Sequence, residues 1–486
     1  MMPMETPVIR ALALAALLLA PALAGCAVNP ATGERNLTLM GPEGESRVGR
    51  EQHPQVVRAF GGVYPDRRVQ DYVTRVGRAL AQVTETPNVS FTFTVLDSPS
   101  INAFALPGGY VYVTRGLLAL ASDEAELTGV LAHEIGHVTA RHSAQRYSQQ
   151  VVAGLGAAVV GAITGSDDIA DSVSFSAAAV LQGYSRDQEF EADTLGMRYL
   201  GRAGYALDAM AGLLAKLDWH SRLEAELAGQ PAGQIDSRNI MATHPRTLDR
   251  LQRAAQAAGP SQGRRERETY LRAVDGIVYG DDPDHGFVRG QTFIHPGLGI
   301  RFDVPAGYQL VSGARQVVAQ NPNGAAIAFD SVRTEPVTMT DYIRNVWGRS
   351  LSIEEVTRLN IAGFDAAAAS ARIKARRGPL DLRLVAIRTD STVNRFLFLT
   401  PPSLSVALAA DLQKVTSGFR RLTASEVSTV KPQRIRLHVV RAGESRAQLI
   451  DYMARDPGRE RRFDIMNGLA EGAMPPVGSL VKVVAE

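Results

Sequence analysis

The sequence contains one cysteine, no excess of either charge and no apolar run long enough to cross a membrane. The single cysteine, Cys26, excludes an intrachain disulfide framework. A net charge of +2 gives no electrostatic basis for binding nucleic acid. The apolar stretches 11–19, 151–163 and 173–180 are all shorter than the roughly 20 residues that a spanning helix requires. The composition is that of an ordinary globular chain, and its 486 residues are enough for two or three domains.

The first 26 residues have the pattern of an export signal. A basic residue, Arg10, precedes the apolar run, and small residues lead to Cys26. The sequence Leu-Ala-Gly-Cys resembles the bacterial lipobox, which implies that Cys26 becomes the lipidated first residue of the mature protein. A plain secretory signal is the alternative. Ala27 follows instead of aspartate, and the resemblance to Gram-negative lipoproteins then implies an outer-membrane anchor facing the periplasm.

The strongest chemical signal is the stretch His133-Glu134-Ile-Gly-His137. Two histidines four residues apart on a helix lie about 40° apart around its axis, so both imidazoles project from one face. This spacing supplies two nitrogen ligands to Zn²⁺, with a carboxylate beside them. The metal activates a water molecule and Glu134 can accept its proton, which predicts zinc-dependent hydrolysis of a carbonyl compound.

A hydrolytic zinc site needs a third protein ligand, and Glu189 and Glu191 are the better candidates, although Glu191 would lie about 200° from Glu189 around a helix. The sequence Ser185-Arg-Asp-Gln188 predicts a helix that begins with a capping box. On that helix Glu189 and Asp193 share a face, so Glu189 can bind the metal while Asp193 orients a ligating histidine. By contrast, His142 lies about 140° from His137 if the motif helix continues, so we expect it to point elsewhere.

The rest of the first half is predicted to be mostly helical with a small sheet. Amphipathic helices are expected at 49–60 and 69–83, strands at 89–96 and 110–114, and the motif helix from an N-cap at Ser122 to about Gln149.

These motifs together resemble peptidase family M48, the gluzincin relatives that include HtpX, Oma and the CAAX prenyl endopeptidases. The similarity covers about residues 45–255 and includes Asn102-Ala-Phe-Ala-Leu-Pro-Gly-Gly109 ahead of the motif. It implies one zinc ion bound by His133, His137 and Glu189, with Glu134 as the general base. The sequence lacks the multiple membrane spans of the HtpX and prenyl-endopeptidase branches. In this respect it resembles the exported branch that handles outer-membrane proteins. In gluzincins an edge strand beside the metal pairs with extended substrate, and strand 110–114 is the candidate, with an ordinary internal strand as the alternative.

His244 precedes Pro245, which places it at a helix entrance with its ring free. The stretch resembles a family segment over the active-site cleft. His244 can therefore fill the open metal position at rest or stabilise the oxyanion during turnover, unless it is only a helix-capping or surface residue. Arg250 is a further candidate for the cleft.

The C-terminal segment 431–486 is weakly similar to a LysM module, with a strand, two helices and a closing strand. Glu444 and Ser445 replace the commoner Asp and Thr of that pattern, so a peptidoglycan contact and a structural or protein-docking role both remain open.

The predicted fold class is α+β, with five segments: a lipoprotein signal at 1–26, a mostly helical peptidase domain at 27–257, a linker at 258–283, an α/β accessory domain at 284–424 and the C-terminal module. The predicted function is zinc-dependent endopeptidase activity on misfolded or stalled envelope proteins, with the outer-membrane assembly machinery as a further partner. The alternatives are a non-catalytic chaperone or assembly scaffold with an occluded zinc site, and zinc hydrolysis of cell-wall material.

Overall fold

The computed structural model describes residues 26–38, 40–149, 183–229, 262–313, 316–335, 337–375 and 378–486, together with His244, Arg250, Arg253 and Gln256. The chain divides into two compact units. The first contains the residues up to Ile277 together with Arg434–Ala485, and the second contains Val278–Gln433. The mixture of helices and sheets agrees with the predicted α+β class. The apolar stretches 151–163 and 173–180, and the signal before Cys26, lie outside the described residues.

The first unit begins with a hairpin and two helices. Its elements in this part are β1 Cys26–Val28, β2 Arg35–Leu37, α1 Pro42–Ala59 and α2 Arg67–Ala81. Asp66 is the N-cap of helix α2, and its side chain accepts hydrogen bonds from the backbone amides of Arg68 and Val69. The helix buries one face, which carries valine and leucine side chains. The predictions of helices in these two regions are confirmed.

Three strands form a small sheet beside the motif helix: β3 Thr92–Leu96, β4 Ala103–Leu106 and β5 Tyr110–Thr114. Strand β5 lies between the other two, parallel to β3 and antiparallel to β4. The prediction that strand 110–114 is the edge strand is therefore wrong, because both of its sides already carry backbone pairing. Strand β4 occupies one edge of this sheet, and all four of its residues are buried.

The motif helix is shorter than predicted. Helix α3 (Arg115–Leu120) leads into helix α4 (Glu124–Thr139), whose N-cap is Asp123 rather than Ser122. Helix α4 ends before Arg141, which has a φ of 62° in the left-handed region. The Arg141 guanidinium pairs there with the buried Glu45 carboxylate. Helical structure resumes over 142–149, so the prediction of one continuous helix to Gln149 is wrong.

Helices α5 (Arg186–Arg202) and α6 (Asp208–Leu227) pack against α4. The predicted capping box between Ser185 and Gln188 is confirmed. Glycine permits the close approach of α5, because a Cβ atom at Gly196 would lie 3.1 Å from the backbone nitrogen of His133. Helix α7 (Arg267–Val274) completes this part of the unit.

The C-terminal segment contains β18 Gln433–Val439, α11 Arg446–Asp451, α12 Arg459–Asn467 and β19 Leu480–Ala485, with the two strands antiparallel. From Arg434 onward it belongs to the same compact unit as the motif helix. The fully buried Lys482 donates hydrogen bonds to the carbonyl oxygens of Ala119 and Ala121, at 2.6 and 2.5 Å. This lysine therefore caps helix α3 immediately before α4 begins.

The second unit is built on antiparallel sheets. The strands are β6 Val278–Tyr279, β7 Phe287–Arg289, β8 Thr292–His295, β9 Ile300–Asp303, β10 Gln309–Ser312, β11 Val317–Gln320, β12 Ala326–Arg333, β13 Val356–Ile361, β14 Phe364–Ala375, β15 Gly378–Thr389, β16 Thr392–Thr400 and β17 Arg420–Arg421. A seven-stranded sheet has the order β10-β11-β12-β16-β15-β14-β13, and a smaller one has the order β17-β9-β8-β7.

The helices of the second unit are α8 Met339–Asp341, which continues as a π-helical turn Tyr342–Trp347, α9 Ser405–Ser417 and α10 Ala424–Thr429, with a 3₁₀ turn at Pro402–Leu404. Its core includes Phe302, Phe329 and Phe396, which pack on one another. The seven strands of the larger sheet pair antiparallel throughout, so the predicted α/β layout for 284–424 is wrong for that sheet. Within the described part of the chain, no helix has the length and apolar character needed to cross a membrane.

Candidate metal centre

Four side chains converge at one buried point in the first unit. His133 and His137 come from helix α4, Glu189 comes from helix α5, and His244 follows further along the chain. Their candidate ligand atoms lie within 4.8 Å of one another. The structure therefore brings together the three predicted ligands, and it adds the histidine that was expected over the cleft.

The two imidazoles of helix α4 present the same nitrogen to this point. Nε2 of His133 lies 3.1 Å from Nε2 of His137, and these atoms lie 3.6 and 3.5 Å from the two carboxylate oxygens of Glu189. In His133 the other nitrogen, Nδ1, lies 3.0 Å from Oδ1 of Asp193. A proton on Nδ1 leaves the lone pair of Nε2 facing the other ligands. Asp193 therefore lies next to the far nitrogen of a predicted ligand, within reach to orient its ring.

Arg250 joins the two acidic side chains of helix α5. Its Nε and Nη2 donate to the Asp193 carboxylate at 2.7 and 2.8 Å, and its Nη1 lies 2.6 Å from Glu189 Oε2. Burial alone would raise the pKa of Asp193, but the Arg250 and His133 hydrogen bonds hold it below its ordinary value. Arg250 therefore reaches the cleft, as the sequence predicted, and stabilises both carboxylates in their charged form.

This arrangement fits a divalent metal ion. Burial keeps the pKa of His137 well below its ordinary value, so its imidazole is neutral, which is the form that binds metals. Nε2 of His133 and Nε2 of His137 lie 3.1 Å apart, which places both nitrogens within reach of one shared cation. Two nitrogen ligands and a carboxylate are also the donor set of a hydrolytic zinc site.

Glu134 lies beside the converging ligands without joining them. Its side chain is fully buried, and among the described residues neither of its carboxylate oxygens accepts a hydrogen bond. Nε2 of His244 is 3.3 Å from Oε1. A buried carboxylate without hydrogen bonds is costly, so this geometry indicates that Glu134 is kept for a bound water or substrate.

His244 is buried among the ligand atoms. Its Nδ1 lies 3.0 Å from Glu189 Oε1 and 3.1 Å from His133 Nε2. Burial lowers the pKa of His244, but the Glu189 and Glu134 carboxylates outweigh that effect and raise it above its ordinary value. The prediction left open whether this residue was a surface histidine, and burial with 3% exposure excludes that alternative.

His142 also lies at the site, although the sequence predicted that its side chain points elsewhere. That expectation is wrong because it assumed an unbroken helix. The left-handed residue Arg141 turns the chain, so Nδ1 of His142 lies 2.9 Å from Nδ1 of His137. The signal for this break is weak in the sequence, since the conformation depends on the ion pair between Arg141 and Glu45.

An apolar wall borders the site on the side of helix α6. It encloses a cavity of about 40 Å³ that reaches His133 and Glu134. The apolar residues that line it are Val130, Met210, Leu213, Leu214 and Leu217. Low polarity on this side of the ligands strengthens the electrostatic interactions within the site.

The chain is similar to known metallopeptidases over this region. The model described as Peptidase family M48 matches residues 67–258. The beta-barrel assembly-enhancing protease of Escherichia coli strain K12 is 30% identical over 208 residues, which cover 40% of this chain and 40% of that protein. Its counterpart from Yersinia pestis is 32% identical over 176 residues, 34% of this chain and 36% of that protein. The mitochondrial metalloendopeptidase OMA1 of Schizosaccharomyces pombe is 28% identical over 248 residues, which cover 49% of this chain and 68% of that protein. The chain thus spans about two fifths of the length of these bacterial relatives.

Proposed function

We propose that this chain is a zinc-dependent endopeptidase of peptidase family M48, whose model matches residues 67–258. The observation that carries the proposal is the convergence of His133, His137 and Glu189 at one buried point, with Glu134 beside it. In this assignment the two imidazoles and the Glu189 carboxylate hold one zinc ion per chain.

Zinc, when bound, supplies a Lewis acid that polarises the scissile carbonyl and makes water more acidic. The chain's own residues handle the proton and the geometry. Glu134 takes the proton of the attacking water on a carboxylate oxygen and then delivers it to the nitrogen of the leaving amine. Asp193 and Arg250 hold His133 in the tautomer that presents Nε2, while Arg250 also keeps Glu189 charged.

We assign His244 to a resting state in which it occupies the position that substrate needs. Its ring lies 3.0 Å from Glu189 and 3.3 Å from Glu134. While the ring stays there, an extended peptide has no access to the Glu134 carboxylate. Substrate binding must displace this histidine. The same contacts support the alternative function, a chaperone or assembly scaffold whose zinc site is occluded.

The cellular setting is proposed from the sequence. Lipidation of Cys26 would anchor the chain in the outer membrane, facing the periplasm of a Gram-negative bacterium. The names of the bacterial relatives refer to beta-barrel assembly, which supports misfolded or stalled envelope and outer-membrane proteins as the substrate class. The second unit, for which no chemical motif is evident, is then a candidate for docking substrates or the assembly machinery.

Cleavage of casein and of an unfolded outer-membrane protein tests the proposed activity. We expect Glu134→Gln to lower the cleavage rate by about 10²–10⁴-fold, because the general base is lost while the ligands remain. We expect His244→Ala to cleave faster than the wild type. Equal rates for wild type and Glu134→Gln would reject the endopeptidase proposal and leave the scaffold. A muropeptide digestion with no released product would exclude action on cell-wall material.

We further propose that the C-terminal segment, with its strand–helix–helix–strand order, has the LysM-like layout expected from the sequence. Its attachment to the peptidase domain favours a structural role over glycan binding, because Arg462 pairs with Glu224 on helix α6 at 2.5 Å and Lys482 caps helix α3. Sedimentation of the full chain with purified peptidoglycan tests this assignment, since co-sedimentation abolished by a change at Glu444 would support glycan binding instead.

A further inference from the structure

Each histidine of helix α4 has a second ring nitrogen that faces away from the candidate metal. His133 uses it to contact Asp193, a partner expected from the sequence. His137 uses it to contact His142, whose own far nitrogen, Nε2, lies 3.1 Å from Oε2 of Glu191. Glu191 is therefore connected to the proposed zinc ligand through a single intervening imidazole.

The protons along this chain can be assigned from the partners. His137 needs a proton on Nδ1 if its Nε2 is to bind the metal, so Nδ1 donates to the unprotonated Nδ1 of His142. The proton of His142 is then on Nε2, which donates to the acceptor-only carboxylate of Glu191. In this arrangement every donor meets an acceptor. The tautomer of His137 is thus set by a carboxylate that it does not touch.

The connection continues to the N-terminal hairpin. Nδ2 of the fully buried Asn29 donates to the second oxygen of Glu191, Oε1, at 2.6 Å. Oδ1 of the same amide accepts from the backbone nitrogen of Ala31 at 2.9 Å. The backbone nitrogen and oxygen of Asn29 bond to Glu34 and Gly33 in the turn between β1 and β2. Asn29 is therefore fixed by its own turn and presents its amide hydrogens to Glu191.

We propose that His142, Glu191 and Asn29 form a positioning relay that holds the zinc ligand His137 in its metal-binding tautomer, with the N-terminal hairpin as its outer end. The inference rests on the proposed zinc site. Asn29 lies three residues after Cys26, so the relay connects the proposed lipid attachment point to the metal centre. The three residues act through His137 and do not contact substrate.

Zinc affinity of the purified full-length protein, measured by competition with a chromogenic chelator, tests the relay. We expect His142→Leu to raise the zinc dissociation constant by about 10–100-fold, the usual effect of removing a partner of a ligating histidine. Ser148→Ala is the matched control, because Ser148 is buried in the same helical stretch and its hydroxyl donates to Ala144. Its zinc affinity is expected to equal that of the wild type.

Two substitutions at Asn29 separate the relay from the fold of the hairpin. Asn29→Asp keeps the oxygen that accepts from Ala31, but it replaces the donor to Glu191 with a second negative charge. We expect Asn29→Asp to weaken zinc binding more than Asn29→Ala, although Ala loses both hydrogen bonds. A purely structural role predicts the opposite order, with the larger effect for Ala.

The melting temperature of the metal-free protein gives a second measurement. The relay predicts that His142→Leu loses more zinc affinity than any fall in its metal-free melting temperature accounts for, whereas Ser148→Ala keeps the wild-type affinity. Wild-type zinc affinity in His142→Leu, or an affinity loss matched by a fall in metal-free stability, would overturn the relay alone. Failure of the wild type itself to bind zinc would overturn both the relay and the proposed function.

Discussion

Removal of zinc should lower the free energy of unfolding of the first unit, because the proposed ligands are buried and converge only in the folded chain. Metal that binds only the folded chain adds about 4.1 kcal/mol to the free energy of unfolding at a free concentration 1,000-fold above its dissociation constant. The entropy of unfolding is about 2.1 cal/mol/K per residue, so for a unit of roughly 300 residues each kcal/mol corresponds to about 1.6 °C in melting temperature. A chelator should therefore lower the melting temperature of this unit by about 5–8 °C.

The melting temperature is expected to fall because the buried ligand atoms lose the metal ion that they share. Nε2 of His133 and Nε2 of His137 lie 3.1 Å apart, and each lies within 3.6 Å of a carboxylate oxygen of Glu189. Differential scanning calorimetry with and without chelator measures the shift. Because the two units can unfold separately, the transition to follow is the one that responds to added zinc.

Two variants distinguish the metal site from the catalytic carboxylate. Glu134→Gln should retain the full response to chelator, because Glu134 is not among the converging ligands. Glu189→Ala should lose most of the response. A wild-type melting temperature that does not change with chelator, or a Glu189→Ala variant that responds like the wild type, would refute the assignment of these residues as zinc ligands.

Three further predictions concern the elements around the site. Lys482→Met should lower the free energy of unfolding by about 1–3 kcal/mol in urea titrations, because the buried carbonyl oxygens at the end of helix α3 lose their donor; an unchanged urea midpoint would contradict this. Glu124→Gln should be less stable than the wild type at pH 6, with a difference that shrinks as the pH falls below 4.5. Burial raises the pKa of Glu124, but hydrogen bonds from Tyr205, Tyr72 and Arg75 hold it below the usual 4.5, so its stabilising effect is present above that pH and is lost as the folded-state carboxylate becomes protonated. Urea midpoints at several pH values test this, and a constant difference would contradict it. Gly196→Ala should cost about 1–3 kcal/mol, because the new Cβ atom would lie 2.9 Å from Met210 Cε and 3.1 Å from the His133 backbone nitrogen; wild-type thermal stability would show that the helices can separate freely.

Several features of the site were predictable because they depend on spacing within single helices. The i,i+4 pairs His133–His137 and Glu189–Asp193 place their side chains on one face of a helix whatever surrounds it. The capping box at Ser185 is equally local, since its two hydrogen bonds join residues three apart. For these residues the sequence-based prediction and the observed geometry agree.

Other features depend on contacts between distant parts of the chain. Whether β5 lies at an edge or in the middle of its sheet is decided by pairing with β3 and β4, and the alternation of its side chains is the same in both cases. The break after helix α4 involves the ion pair of Arg141 with Glu45, 96 residues earlier, so no local pattern indicates that His142 returns to His137.

The sequence by itself therefore determined which side chains share a helix face, namely His133 with His137 and Glu189 with Asp193, because helical periodicity is local. The motif and the resemblance to peptidase family M48 implied the roles of these residues. Only the tertiary structure decided what surrounds that chemistry. It buried His244 among the ligands, joined His137 to Asn29 through His142 and Glu191, and attached the C-terminal strand to the end of helix α3 through Lys482. These contacts join residues that are far apart in the chain, and periodicity carries no information about such pairs.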